Sequence, residues 1–296
     1  TPSACGWGKV FLHFEITKNI DEDTFKNGNI SALLNSYGDI FRNNKSSSAG
    51  YYFPNDSGTS IYAFNAGLSG KNDTNYYSSY FAYFQNSFVN LHPGPSGNLN
   101  KYTAYDELKW NKVWSITDWD IQYHRNNWMN SGYIAHSSIL EWPAHGDTSL
   151  GHAYYLAPFV DFNNDGKYNP YSGDYPASKG QVSHYLIQSE NIGGLMVERH
   201  YLFYGYNCLN NEIKNSSFLL VKYFNRSNTI LDSSYITLWS DFDLGCSTND
   251  YVGTDVIRNT GYVYNGSSFD QDCNGAIGYK YYPPIQTKSI VKGAKV

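Results

Sequence analysis

The sequence predicts a mainly β protein whose antiparallel strands pack as a sandwich. Aromatic residues make up 18% of the 296 residues and charged residues only 16%, which favours aromatic-rich strands joined by uncharged polar loops. Three alternating segments, 196–207, 217–226 and 234–242, follow one another with only turn-like stretches between them. Strands spaced in this way are typical of an antiparallel meander.

A separate strand is predicted at the N-terminus. In residues 9–17, KVFLHFEIT, the apolar side chains of Val10, Leu12, Phe14 and Ile16 occupy alternate positions, so they share one face of a strand. The polar stretch that follows, KNIDEDTFKNGN, resembles a linker. A strand on such a linker can pair within its own chain or with a neighbouring subunit. We therefore predict an N-terminal strand and linker over 1–27 and one β-rich domain over 28–296.

Two more strands and a helical region come next along the chain. Residues 61–68 and 76–84 alternate as strands, and the second is a dense aromatic stripe. Residues 103–128 carry apolar residues at roughly helical spacing and predict one or two short helices. Thr103 is suited to cap the first of them, with Asp106 completing a capping box.

Residues 161–174, DFNNDGKYNPYSGD, predict a calcium-binding loop. Short oxygen side chains alternate at three positions and are followed by Gly166, which allows a tight turn. The twelfth position of an EF-hand, where a bidentate Glu is expected, is Ser172, so a non-EF-hand site is predicted. A turn rich in Asp and Asn without any metal is the alternative. The candidate ligands are Asp161, Asn163, Asp165, Lys167 and Asp174.

A second acidic cluster lies in residues 239–255, WSDFDLGCSTNDYVGTD. Carboxylates this close in sequence repel one another unless a cation or water separates them. Calcium is one interpretation, and a solvated acidic loop is the other. The candidate ligands are Asp241, Asp243, Asp250 and Asp255.

The sequence offers little for catalysis. Glu141, His145 and Asp147, in EWPAHGD, could perform acid–base chemistry or could fix a loop by hydrogen bonds. No nucleophile elbow, phosphate-binding loop or zinc motif is present in the sequence. We therefore predict that the protein is not an enzyme and has no catalytic residues.

Four cysteines, without a CxxC pair, allow two disulfides or free thiols. Of the possible pairings we favour Cys246 with Cys273, which flank one glycine-rich region. The other two are Cys5 and Cys208.

Several strings resemble a family of large extracellular proteins of Bacteroidota that usually end in a type IX secretion sorting domain. They are EWPAHGD, LAPFVDFNNDGKYNPYSGDYP, FNRSNTILDSSYITLWSDFDLG and DYVGTDVIRNTGYVYNG. The resemblance covers roughly residues 28–284. It implies secretion, a β-rich fold and calcium-type acidic loops at Asp161–Asp174 and Asp241–Asp255, and it supplies no defined activity. Family members normally continue beyond the position at which this chain stops.

The sequence as a whole predicts a secreted, calcium-stabilised structural or adhesive protein, self-assembling as the subunit of an extracellular filament. The net charge of −5 argues against nucleic acid as a partner, and no apolar run is long enough for a membrane span. The first residue is Thr, which we interpret as the result of signal-peptide removal or of shortening. A cell-surface carbohydrate-binding module or glycoside hydrolase is the alternative, because aromatic side chains can stack on glycans.

Overall fold

The computed structural model of the chain describes residues 20–37, 39–54, 58–79 and 91–265, together with the backbone of 285–288. The predicted N-terminal strand over 9–17 lies outside the described residues, and so do residues 80–84 of the predicted aromatic strand. Within the described part no helix is long and apolar enough to cross a membrane.

The described chain is mainly β, as the sequence predicts. The strands are β1 (Glu22–Asn27), β2 (Ile30–Asn35), β3 (Arg42–Asn43), β4 (Ser48–Ala49), β5 (Tyr51–Tyr52), β6 (Thr59–Asn72), β7 (Asn75–Ser78), β8 (Leu91–Pro93), β9 (Trp114–Thr117), β10 (Phe159–Val160), β11 (Tyr175–Pro176), β12 (Val182–Ile192), β13 (Leu195–Gly205), β14 (Ser217–Asn225), β15 (Ser233–Phe242), β16 (Asp250–Asp255), β17 (Thr260–Asn265) and β18 (Ile285–Lys288). The helices are α1 (Ala104–Trp110), α2 (Asp118–Asn127), α3 (Ser137–Leu140) and α4 (Asn211–Lys214).

Two antiparallel sheets form the sandwich, and a smaller third sheet follows them in the chain. Sheet I has the order β1-β2-β5-β6-β15, with β7 also paired to β6. Sheet II has the order β14-β13-β12-β8, with β9 also paired to β12. Sheet III contains β16, β17 and β18, and two short ladders, β3-β4 and β10-β11, lie in the connections. The predicted antiparallel, sandwich-like fold class is therefore confirmed.

Sheet II is covered on both faces. On one face Leu186 and Phe203 pack with Phe25 and Phe64 of sheet I in the sandwich core. On the other face alternate residues of the same strands pack against the helices and the irregular connections between them. This second core contains Trp110, Trp114, Ile116, Ile121, Ile139, Trp142, Tyr185, Ile187 and Leu202. The fold thus has three layers, with sheet II in the middle.

The helical region agrees with its prediction. The Thr103 side chain accepts a hydrogen bond from the Asp106 backbone amide, and the Asp106 carboxylate accepts one from the Thr103 amide, which completes the predicted capping box at α1. Thr117 and Asp120 form a second capping box at α2. These caps fix where each helix begins, and strand β9 lies between the two helices.

Two sequence-based expectations are wrong. Part of the predicted linker, Glu22–Asn27, forms the strand β1, which pairs with β2 and buries Phe25 completely. A single buried aromatic residue among six gives no alternating pattern by which this strand could be identified from the sequence. The predicted meander is interrupted, because β15 pairs with β6 of sheet I and not with β14. The connection between β14 and β15 therefore crosses from one sheet to the other.

Candidate functional site

The predicted calcium loop leaves the helical layer and returns to it at the same place. It leaves from β10 and returns through β11, which pair antiparallel through Phe159 with Pro176 and Val160 with Tyr175. This two-residue ladder brings the ends of the loop together, so the candidate ligands at 161–174 are held within one compact turn.

In the first half of the loop, side-chain oxygens accept hydrogen bonds from the backbone of the loop itself. Asp161 accepts the backbone amide of Asp165 through Oδ1 (3.2 Å) and that of Gly166 through Oδ2 (2.7 Å). Asp165 accepts the Lys167 amide through Oδ1 (2.8 Å) and the Asn163 side-chain amide through Oδ2 (3.0 Å). Gly166 has φ +76°, a region that favours glycine. The hydrogen bonds from Lys167 and Asn163 also lower the pKa of the Asp165 carboxyl, so this group stays ionised near neutral pH.

Asp174 has a structural position in the loop. It is completely buried. Its Oδ1 accepts the Phe162 amide (2.8 Å) and its Oδ2 accepts the Asn169 amide (2.7 Å). The carboxylate thus joins the two halves of the loop through their backbones. Its assignment as a calcium ligand stays a prediction.

The donor set of this loop suits a hard cation, although it is not a carboxylate cage. Over the described ranges no group of three or more His, Cys, Asp or Glu side chains is arranged to hold a metal ion. A cation here would need oxygens of other kinds, from the Asn163 amide and from the backbone carbonyl of Lys167. Calcium accepts such mixed oxygen ligands, whereas zinc prefers nitrogen and sulfur.

The second acidic cluster is only partly brought together. Asp243 follows the end of β15, where burial raises the pKa of its carboxyl and the nearby charge of Asp241 raises it further. Asp250 lies across the connecting turn and accepts the Leu244 amide through Oδ2 (2.8 Å). Asp255 is at the other end of β16, about 17 Å away for five residues of strand, and it pairs with Arg258. Asp255 is therefore not part of this cluster.

One cysteine of this region is cross-linked. Cys246 is disulfide-bonded and Cys208 is a free thiol. Cys5 and Cys273 lie outside the described residues, so the favoured pairing of Cys246 with Cys273 stays a prediction.

The residues considered for acid–base chemistry have separate partners. Glu141 forms an ion pair with Lys112. His145 accepts the Tyr168 amide through Nε2 (2.8 Å) and its ring stacks on Tyr154. Asp147 caps the following turn by accepting the Ser149 amide (2.8 Å). Each group thus fixes local structure, with His145 joining its own segment to the loop at 161–174.

A buried polar network in sheet II was not predicted. Glu198 and His200, two apart on β13, lie on the face that meets the helical layer. His200 contacts Glu198 Oε1 through Nε2 (2.7 Å) and the Tyr185 hydroxyl through Nδ1 (2.6 Å). Arg226 donates to Glu198 Oε1 (2.6 Å), and the Ser96 amide donates to Oε2 (2.8 Å).

The protonation states in this network follow from burial and pairing. Burial alone raises the pKa of Glu198, but hydrogen bonds and charges from His200 and Arg226 outweigh it and lower the pKa to about 2. Burial lowers the pKa of His200. A neutral His200 satisfies both contacts when Nε2–H donates to Glu198 and Nδ1 accepts the Tyr185 hydroxyl proton. Because burial also raises the pKa of Tyr185 well above its usual range, this tyrosine is poorly suited as a nucleophile.

A small cavity adjoins the network. Its volume is about 30 Å³, which is room for about one water molecule. The lining residues are Leu156, Pro158, Tyr185, His200, Leu202, Leu220 and Lys222. His200 and Tyr185 thus belong both to the network and to the lining of this cavity.

A second charged group is buried inside the sandwich itself. Arg199 pairs with Glu190 and donates to the Ser79 hydroxyl (2.6 Å). Asp39, also buried, accepts the Asn65 side-chain amide (2.7 Å). Burial raises the pKa of Asp39 to about 6, in spite of that hydrogen bond. This interior thus contains a carboxyl group that titrates close to neutral pH.

No family model, curated protein or solved structure matches this chain.

Proposed function

We propose that this chain is a secreted, calcium-stabilised structural or adhesive protein of the cell surface, and that it self-assembles as a filament subunit. The resemblance to extracellular proteins of the type IX secretion class supports the location. The observation that carries self-assembly is the exposed edge of sheet I. Within the described structure β15 has a hydrogen-bonded neighbour on one side only.

The two edges of sheet I differ in their protection. At β1, the sequence EDTFKN presents charged residues, and the Thr24 amide is capped by Asp23 Oδ1 (2.8 Å). At β15, eight residues without a charge, SSYITLWS, precede Asp241, and Ile236 and Leu238 are 45% and 47% exposed. Charges on edge strands prevent pairing between molecules, so an uncharged apolar edge favours association.

Assembly should depend on this edge. Full-length protein is expected to form particles that grow with concentration, and the variant Ile236→Lys/Leu238→Lys should remain a monomer because two charges occupy the edge. Light scattering and electron micrographs measure this. Val252→Lys, at a residue 70% exposed in sheet III, is the matched control and should assemble normally. A monodisperse wild-type monomer at every concentration would remove the proposal.

Calcium should stabilise the fold through the loop at 161–174. At a hundredfold excess over its dissociation constant a bound ion adds about 2.7 kcal/mol, so a chelator should lower the melting temperature. Asp161→Asn/Asp165→Asn should abolish the calcium-dependent part of the shift. Asp255→Asn, in the pair with Arg258, should leave it unchanged. Equal melting temperatures with calcium and with chelator, and no calcium in elemental analysis, contradict this prediction.

The alternative, carbohydrate binding, has one observation in its favour. Trp119 and Tyr123 on α2 are 69% and 49% exposed, and their rings stack at 5.1 Å with an interplanar angle of 12°. Exposed aromatic rings beside amide side chains can hold a sugar by stacking and hydrogen bonds. Retention on insoluble polysaccharide by a protein that stays monomeric would favour this alternative.

A further inference from the structure

At one edge of the sandwich, sheet I extends one strand further than sheet II. The Tyr223 hydroxyl of β14 donates to the backbone carbonyl of Gly67 in β6 (3.4 Å), so the last strand of sheet II lies over β6. Sheet I continues beyond β6 to β15, whereas no described strand of sheet II lies beyond β14. Phe242 at the end of β15 still packs against the core, so the overhang is the part of the inner face of β15 before it, with no described strand opposite.

The exposed fractions of the side chains on β15 also indicate that no strand covers this position. Leu238 is the cross-strand partner of Ala66 and shares its face of the sheet. Ala66 is completely buried in the sandwich core, while Leu238 is 47% exposed. Ile236, two residues before Leu238 and on the same face, is 45% exposed. Apolar side chains that point toward the inside of the sandwich thus remain uncovered over β15.

The strand beside the gap presents an unprotected edge. β14 pairs only with β13 among the described strands. Its inner row, Leu219, Val221 and Tyr223, is only partly buried against the core. The strand contains no proline, and Lys222 is its one charged residue. A strand added beside β14 would continue sheet II and cover the overhang.

We propose that this position is filled by residues 9–17 of a second copy of the chain. The segment has nine residues, and β14 also has nine. Paired with β14, it would place Val10, Leu12, Phe14 and Ile16 on the inner side, against Ile236 and Leu238. This is strand addition at a sheet edge, in which backbone hydrogen bonds give affinity and alternate side chains give specificity. The inference rests on the proposed self-assembly and names its partner.

The segment of the same chain starts from a fixed position at the opposite edge of the sandwich. Asp21 is fixed by a hydrogen bond from its amide to Asn111 Oδ1 (3.2 Å) and by the Val113 amide on its carboxylate (2.8 Å). From residue 17 to residue 21 the chain spans at most about 14 Å. β1 contacts β12 through Asp23 and His184, and the position beside β14 lies three strand spacings, about 14 Å, from β12 across sheet II. The segment of the same chain would have to leave Asp21 fully extended to approach this position, whereas a segment from another molecule has no such restriction.

A mixing experiment with full-length chains tests the inference. The donor variant Leu12→Lys/Phe14→Lys retains the acceptor position, and the acceptor variant Ile236→Lys/Leu238→Lys retains the donor segment. Each alone should have the mass of one chain, 33.6 kDa. An equimolar mixture should form dimers of twice that mass and nothing larger, because only one productive contact is possible. Sedimentation velocity measures the three masses, and thermal melts establish that each variant is folded.

Two further samples keep the test decisive. Phe11→Lys, on the other face of the donor segment, should assemble like the wild type. The peptide KVFLHFEIT, added in excess to wild-type protein, should shorten the particles, and the same peptide with lysine at the positions of Leu12 and Phe14 should not. A donor variant that assembles like the wild type, or a mixture that stays monomeric, overturns this inference but not self-assembly. A wild type that never assembles overturns both.

Discussion

Glu198→Ala should destabilise the protein by about 3–5 kcal/mol, because it removes one partner from a buried, hydrogen-bonded charge network. Glu198 is completely buried and satisfies three groups, the His200 ring, the Arg226 guanidinium and the Ser96 amide. Its removal leaves these donors unpaired between sheet II and the helical layer. Denaturant unfolding at pH 7 measures the loss. Glu212→Ala, on the exposed face of α4, should change stability by less than about 0.5 kcal/mol.

The same carboxylate should make the protein sensitive to acid. The pKa of Glu198 is lowered from 4.5 to about 2 in the folded protein, so the unfolded state binds its proton first as the pH falls. The stabilisation is fully present above pH 4.5 and is lost as the pH falls toward 2. Glu198→Gln should be less stable at pH 7 and should lose less stability over this range. Parallel pH curves for wild type and variant would contradict the assignment.

Asp39→Asn is the second large effect, and it has the opposite sign. The pKa of Asp39 is raised from 3.8 to about 6, so its stabilisation is present below pH 3.8 and is lost as the pH rises through 6. At pH 8 the buried charge costs up to about 3 kcal/mol. The side-chain carbonyl of the variant can still accept the Asn65 hydrogen bond, so the variant should be about 1–3 kcal/mol more stable at pH 8. The gain is below the maximum because the added amide protons have no described partner.

The pH dependence of this gain is the decisive measurement. The difference between Asp39→Asn and wild type should disappear near pH 4, where Asp39 is protonated in the folded protein. Asp23→Asn is the matched control, because a hydrogen bond from His184 is the largest of the effects that lower the pKa of Asp23 to about 2. That variant should lose stability at pH 8. A destabilised Asp39→Asn at pH 8 would show that the carboxylate is solvated or paired in the folded protein.

The loop at 161–174 shows what a local sequence pattern can predict. Alternating Asp161, Asn163 and Asp165 before Gly166 predict a tight turn, and the structure has that turn, with side-chain oxygens bonded to successive amides. The pattern was informative because every one of these contacts spans five residues or fewer. Asp174 was assigned by proximity in sequence, but its role depends on its burial and on the amides of Phe162 and Asn169, which spacing does not reveal.

Sheet II shows which strands and contacts a local sequence pattern does not predict. β12, Val182–Ile192, is buried on both faces, so its sequence VSHYLIQSENI lacks the alternation that identifies a half-buried strand. The network of Glu198 and His200 was missed for a related reason. Its members come from β13, from the segment before α1 and from the residue that follows β14, and only the register between strands brings them together. Likewise, Asp241 and Asp255 were grouped by sequence although a strand length separates Asp255 from the others.

The edge at which sheet I extends past sheet II also restricts the symmetry of an assembly in which it binds the N-terminal segment of another molecule. The N-terminal segment enters the sandwich at β1, and the overhang lies at the opposite edge, beside β15. A contact that joins these two surfaces uses different patches on the two molecules, so it is heterologous, and contacts of this kind form a ring if the rotation closes and an open filament if it does not. Each added subunit leaves one donor and one acceptor unused. An open filament of such subunits is therefore polar, with two chemically distinct ends at which growth rates can differ.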